Sequence, residues 1–267
     1  TAGILYRLQT MVTAIPILLN MPSWDAPDGI FRAWWFDPMV ASISFAFFIN
    51  WYWCEERKRG LSSDNEKFLG VSWSPLFQSL ASYWIGVYLF KSVVPPPAPT
   101  LPDGFPDNLV ELSILAFEVI AGIVLYDFIF FFIHWAMHDL PFAKSIHKRH
   151  HSKPDGTVEA RDTLRHSLMD GSLQVLVNII VQRKTLWGTI KSRLARTIHN
   201  IIVVWMLTES HTASPKPYIW RRWFVGVREH RLHHFNSEGI HHDSRFQRHQ
   251  QFFGYLDNLR ALVGEKN

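Results

Sequence analysis

Eight histidines fall into three close groups: His134 with His138, His147 with His150 and His151, and His230 with His233 and His234. Residues four apart on a helix stand one above the other, so His134 and His138 can aim two imidazoles at one point. The same holds for His147 with His151 and for His230 with His234, with His150 and His233 a short step around the turn. A lone histidine is most often a hydrogen-bonded structural residue, but crowded imidazoles repel when protonated and waste donors when neutral. A shared metal removes both penalties. Eight nitrogen donors suit two ions, and one cysteine, Cys54, cannot supply the thiolates common in structural zinc sites. Imidazole accepts iron, zinc, copper and nickel, so affinity leaves the metal open, and zinc can replace the working metal in purified protein. A membrane setting favours iron, because two ferrous ions can activate dioxygen against an unactivated C–H bond and acid–base residues alone cannot. Asp127, seven residues before His134, falls near the same helical face and is a candidate acceptor for a ligand's free N–H.

Four segments are candidates to carry these groups across a bilayer: Ile4–Met21, Trp34–Cys54, Val71–Val94, and Val110 to about His134. Each approaches the length needed for a hydrocarbon core of about 30 Å at a helical rise of about 1.5 Å per residue. The second and fourth fit best, since Arg7 and Pro16 interrupt the first. Lys and Arg gather on cytoplasmic loops. The connection from Glu55 through Lys67 is basic, whereas the one before it holds only Arg32 and Pro95–Asn108 holds no Lys or Arg. Four crossings with that alternation place the N-terminus, Arg57-Lys58-Arg59 and everything after His134 on the cytoplasmic face. Pro95 to Pro99 reads as a stiff extended linker on the other side, and Pro141 as a break between the first two histidine groups. Two shorter apolar stretches, Leu173–Val181 and Ile198–Leu207, predict a hairpin that enters and leaves one leaflet, or a two-helix crossing of the same sidedness. His199 reads as a polar break or an interfacial residue.

The expected fold is all-α. It is an integral membrane protein with about four transmembrane helices, a short membrane-associated hairpin and a cytosolic helical cap carrying the histidines. With 267 residues, 48% hydrophobic and 15% aromatic, the chain forms one domain, 1–267, in which 1–109 supply N-terminal transmembrane helices and 110–267 the histidine-bearing region. The single cysteine rules out an internal disulfide. A formal charge of +4 is spread along the chain with no nucleic-acid motif, which argues against that class of partner. The chain starts at Thr1 rather than Met and is read as processed, truncated or incompletely identified, so localisation is not taken from its N-terminus.

The run from Asp127 through His134, His138, His147, His150 and His151 to His230, His233 and His234 resembles the fatty acid hydroxylase/sterol desaturase superfamily of membrane di-iron oxygenases. The resemblance covers roughly Asp127 to Leu259. It implies two Fe ions and a hydroxylase or desaturase acting with O2 on an apolar lipid or sterol-like substrate. It also implies the endoplasmic reticulum membrane as location, with another organelle membrane as the alternative. Glu209-Ser210-His211-Thr212 is similar to the family's histidine and small hydroxyl residue at a helix end, which makes His211 the ninth ligand. Arg165-His166-Ser167-Leu168-Met169-Asp170 is similar to a family motif near the substrate access, with Ser167 replacing proline, and implies that His166 and Asp170 support ligands rather than bind metal. Trp135 stands where the family has Arg, Phe131 where it has Tyr, and Phe252-Phe253-Gly254 through Asp257 matches the closing motif loosely.

No dinucleotide fingerprint or haem-attachment motif occurs, so electrons must come from an external donor, a cytochrome or ferredoxin-like protein. Lys144, Lys148, Arg149 and Lys153 offer such a donor a basic face, or anchor the chain at lipid headgroups. The departures at Phe131 and Trp135 suit a second reading, a catalytically inactive hydroxylase-like membrane subunit of a larger protein assembly. A histidine-ligated haem carrier fits less well, since it needs only two histidines.

Overall fold

A computed structural model describes residues 35–61, 80–81, 83–88, 105–151, 158–183, 192–213, 230, 233–234, 252–257 and 259. The described residues form helices and contain no strand: α1 (Phe36–Lys58), α2 (Leu109–Asp139), α3 (Pro141–His147), a short 3-10 helix (Ala160–Leu164), α4 (Leu168–Arg183) and α5 (Arg193–Ser210). Ile4–Met21, most of Val71–Val94, the Pro95–Pro99 linker and Lys153 lie outside the described residues.

The longest helix is fixed at both ends by local chemistry. Asn108 caps α2 by accepting from the Glu111 amide at 3.0 Å, and the Glu111 carboxylate returns to the Asp107 amide at 3.0 Å. Leu140 then turns extended and Pro141 occupies the first turn of α3, where its missing N–H costs nothing. The helix therefore runs past the expected end near His134 to Asp139, and carries His134 and His138 on one continuous rod.

Among the described residues, α2 is the one helix both long and apolar enough to cross a membrane. Its 31 residues span about 46 Å. One face, Leu115, Val119, Ile123, Tyr126 and Phe130, packs against Val177 and Val181 of α4 and Val203 and Met206 of α5. The opposite face leaves Phe117, Ile120, Val124, Phe128 and Phe132 exposed, so the helix is apolar all round. The second expected span is the 23-residue α1; Asp37, Ser42, Ser44 and Asn50 interrupt its apolar run, though Ile43, Phe47 and Trp51 still make an exposed apolar row.

Buried polar groups lock the helices in register. Glu118, 1% exposed in the middle of α2, accepts from the amide and hydroxyl of Ser192, the residue that caps α5. From Glu118 to His134 is about 24 Å of helix and α5 is about 27 Å long. α5 thus starts beside Glu118 and delivers its C-terminus, with His211, to the histidine end. Asn178 and Gln182 of α4 bond Asn200 of α5 at 3.0 and 2.5 Å, and His199 meets Asn178 at 3.1 Å. His199 is accordingly a buried hairpin contact, not a break or an interfacial residue. α1 lies along α5 through Trp205, whose Nε1 donates to the Tyr52 hydroxyl at 2.9 Å. Its C-terminal end reaches Thr212, so Arg57-Lys58-Arg59 sits at the histidine end of the bundle.

The closing segment is held by Asp127, which is fully buried. Its two carboxylate oxygens accept the amides of Phe252 and Phe253 at 2.7 and 3.2 Å, and Phe252 stacks on Tyr126. D127N should lower stability by about 2 kcal/mol, because the new amide N–H faces the Phe253 donor. Thermal melting together with proteolysis of the closing segment measures this, and an unchanged melting temperature would contradict it.

Candidate metal centre

The sequence-predicted histidines converge from four chain segments. His134 and His138 come from α2, and His147 ends α3. The helix stops there. His150 N donates to His147 O at 2.9 Å, so His150 and His151 lie on a tight turn rather than on the expected continuous helix. His211 follows the last residue of α5, and His230, His233 and His234 come from the C-terminal part. His241, His242 and His249 lie outside the described residues.

Two groups result: His134, His138, His147, His151 and His233 in one, and His150, His211, His230 and His234 in the other. Within each, one ligand atom per residue lies within 4.8 Å of all the others. Neighbours in sequence separate, His150 from His151 and His233 from His234, because successive side chains on a helical turn point about 100° apart. The groups abut: the His151 and His234 ring centroids are 4.3 Å apart and those of His147 and His150 5.1 Å.

In the first group, Nε2 of His147 lies 3.2 Å from that of His134 and 3.0 Å from that of His151, and Nε2 of His138 lies 3.2 Å from that of His134. In the second, His211 Nε2 is 3.2 Å from His150 Nε2 and 3.1 Å from His230 Nε2, and His234 Nε2 is 3.1 Å from His230 Nε2. Ligands at about 2.1 Å from one ion stand about 3.0 Å apart at right angles and about 3.4 Å apart at the tetrahedral angle. The shorter separation and a group of five exceed what a closed four-ligand zinc site requires. Each group offers enough nitrogen donors to hold a metal ion.

Supporting groups aim the rings. His147 Nδ1 donates to Asp170 Oδ2 at 2.9 Å, and His211 Nδ1 donates to the Leu207 carbonyl at 2.7 Å, so both turn a bare Nε2 toward their groups. Asp170 is fully buried. Its other oxygen accepts from Gln174 at 3.1 Å, and Ser167 holds its amide. His166 Nδ1 lies 3.7 Å from Asp170 Oδ2, the oxygen that bonds His147, while its ring stacks on His150 at 4.8 Å, so one carboxylate touches the surroundings of both groups. Asp127, expected beside a ligand, anchors the closing segment as described above. Sequence reasoning missed Glu118, Asn178, Asn200 and Glu56. For Glu118 a signal existed, a lone acid in an apolar span.

Burial, then the neighbouring imidazoles, hold His150, His151, His230, His233 and His234 well below the ordinary histidine range. Burial lowers His211 to about 4, against the opposing pull of the Leu207 carbonyl. These six rings favour the neutral form at pH 7, as ligands must. An unfolded histidine takes its proton near pH 6.5 and these take theirs at lower pH, so below about 6.5 the unfolded chain binds more protons and folding weakens. Metal-free protein should therefore lose melting temperature between pH 7.5 and 5.5, and loaded protein should release metal over the same range. A flat profile would count against a buried neutral cluster. D170N, which no longer fixes the His147 tautomer, should weaken metal binding by about 10- to 100-fold, measured by chelator competition.

In comparison with protein families, the fatty acid hydroxylase model matches residues 119–260, more than half of the chain. No curated protein and no solved structure matches. The matched span holds all nine clustered histidines, Asp127, His166 and Asp170.

Proposed function

Since the chain belongs to the fatty acid hydroxylase family, part of the fatty acid hydroxylase/sterol desaturase superfamily, we propose that it is a membrane-bound di-iron oxygenase, a hydroxylase or desaturase acting on a lipid or sterol-like substrate. The observation that carries this reading is the pair of abutting imidazole groups, five and four, at the end of an apolar helix bundle. His134, His138, His147, His151 and His233 would hold one iron and His150, His211, His230 and His234 the other. Bound iron supplies the chemistry that acid–base groups lack, reduction of O2 coupled to cleavage of an unactivated C–H bond.

The protein's own residues do the rest. Asp170 and the Leu207 carbonyl hold protons on Nδ1 of His147 and His211, which keeps Nε2 free for metal. Burial favours the neutral form of His150, His151, His211, His230, His233 and His234 and keeps bulk water away. The exposed apolar rows of α1 and α2 suit lipid contact, so an apolar substrate approaches from the bilayer rather than from water. In this reading 1–267 form one domain. Residues 1–109 contribute further spans, about four in all, and α4 and α5 form the membrane-associated hairpin. Basic Arg57-Lys58-Arg59 at the histidine end supports a cytoplasmic site, in the endoplasmic reticulum by family resemblance. Electrons would come from a cytochrome or ferredoxin-like donor.

A catalytically inactive subunit of a larger assembly is the second reading. Phe131, where the family has Tyr, is 5% exposed against the bundle, and Trp135 is partly exposed beside it, so neither provides the family's polar group.

Elemental analysis of protein purified anaerobically in mild detergent decides between them. About two irons per chain, with O2-dependent oxidation in a screen of lipids and sterols, is expected. His150→Ala and His151→Ala, one in each group, should each release metal and abolish turnover. Folded protein with substoichiometric metal would overturn the oxygenase reading.

A further inference from the structure

The part of the chain outside the family match contributes a carboxylate to the edge of the metal centre. Glu56 lies in the last turn of α1, with 0% of its surface exposed. Its Oε1 accepts three hydrogen bonds: from the Thr212 hydroxyl at 2.8 Å, the Ala213 amide at 2.7 Å and the Ala160 amide at 3.1 Å. Thr212 and Ala213 directly follow His211, at the point where α5 ends and its backbone needs outside partners. Ala160 opens the 3-10 helix that leads to His166, the ring stacked on His150. One oxygen therefore ties together two segments that bear on the same histidine group.

We propose that Glu56 is the positioning residue for the His150, His211, His230 and His234 group, so that the second metal depends on a residue from the N-terminal helix that the family match does not include. This rests on the two-metal reading above. The physical basis is reach. The His211 ring is set by Leu207 on one side and by the path of the chain through Thr212 and Ala213 on the other, and Glu56 fixes that path. Without the carboxylate, a hydroxyl and two amides are left buried with no acceptor in place, and the turn must shift to find water or other partners. The three bonds that Glu56 accepts come from Ala160, Thr212 and Ala213 and none from a residue of the His134, His138, His147, His151 and His233 group, so the first group should feel the change less.

The test is anaerobic titration of metal-free, full-length protein with ferrous ion, read as bound equivalents and chelator-competition affinity. Mössbauer spectra of the loaded samples distinguish paired from isolated iron. Wild type should take two equivalents. Glu56→Ala should keep one at wild-type affinity, weaken the other by about 10- to 100-fold and show isolated iron. Glu56→Gln, whose amide oxygen can accept the same three bonds, should behave as wild type. Glu56→Asp keeps the charge but retreats by about 1.5 Å, and should behave like Glu56→Ala. Thr212→Val removes one of the three donors and should weaken the same site to a smaller degree; it decides the matter if Glu56→Ala does not fold. Two equivalents at unchanged affinity in Glu56→Ala or Glu56→Asp would overturn the proposal, as would equal weakening of both metals. Glu56→Gln no better than Glu56→Ala would overturn the hydrogen-bond basis. Wild type that takes up no ferrous ion would overturn the oxygenase reading and this inference together, whereas wild type with two and Glu56→Ala with two would overturn this inference alone.

Discussion

Nine imidazoles meet at one end of the helix bundle, and burial holds six of them, His150, His151, His211, His230, His233 and His234, below the ordinary histidine range; the surrounding structure is organised around keeping the cluster buried and aimed. Each cluster nitrogen that faces its neighbours at 3.0 to 3.2 Å is useful only if its lone pair has a positive centre to meet. Neutrality follows from burial, and aim follows from what the opposite ring nitrogen bonds. For His147 that partner is Asp170, and for His211 it is a carbonyl one turn back in its own helix. Bound metal satisfies these demands at once.

The helices serve as spacers of matched length. α2 brings two histidines on one rod, then breaks at Leu140 and Pro141 so that the chain can turn back over its own end. α5 has to arrive at the same height with His211, and a buried acid–serine contact far from the site, Glu118 with Ser192, sets where it starts. Such buried polar contacts fix helix register where apolar packing alone would let one helix slide along another. The Asn178, Gln182, His199 and Asn200 network does the same between the two arms of the hairpin.

Membership of the fatty acid hydroxylase family rests on residues 119–260, yet the site's geometry draws on more of the chain. α1 packs along α5 through Tyr52, Phe48 and Trp205 and ends in a buried carboxylate against the His211 turn. The N-terminal region is therefore part of the framework of the centre as well as candidate membrane anchor.

The sequence by itself determined the donor set and its chemistry. Spacings of three and four residues put imidazoles together on helical turns, a single cysteine excluded thiolate sites, and an apolar run ending in His134 and His138 tied the cluster to a long apolar helix. It also marked Asp170 and His166 as supports through resemblance. Only the tertiary structure decided how the histidines divide. Adjacent residues such as His150 and His151 share a place in the chain but point to different groups, and His233 joins the α2 pair from a distant segment. It alone also gave roles to Glu56, Glu118 and Asp127, whose partners lie 156, 74 and 125 residues away. Periodicity reports which face a side chain occupies on its own helix, because that is local geometry. What the face meets depends on how long-range polar bonds set one helix against another, and no local pattern encodes that.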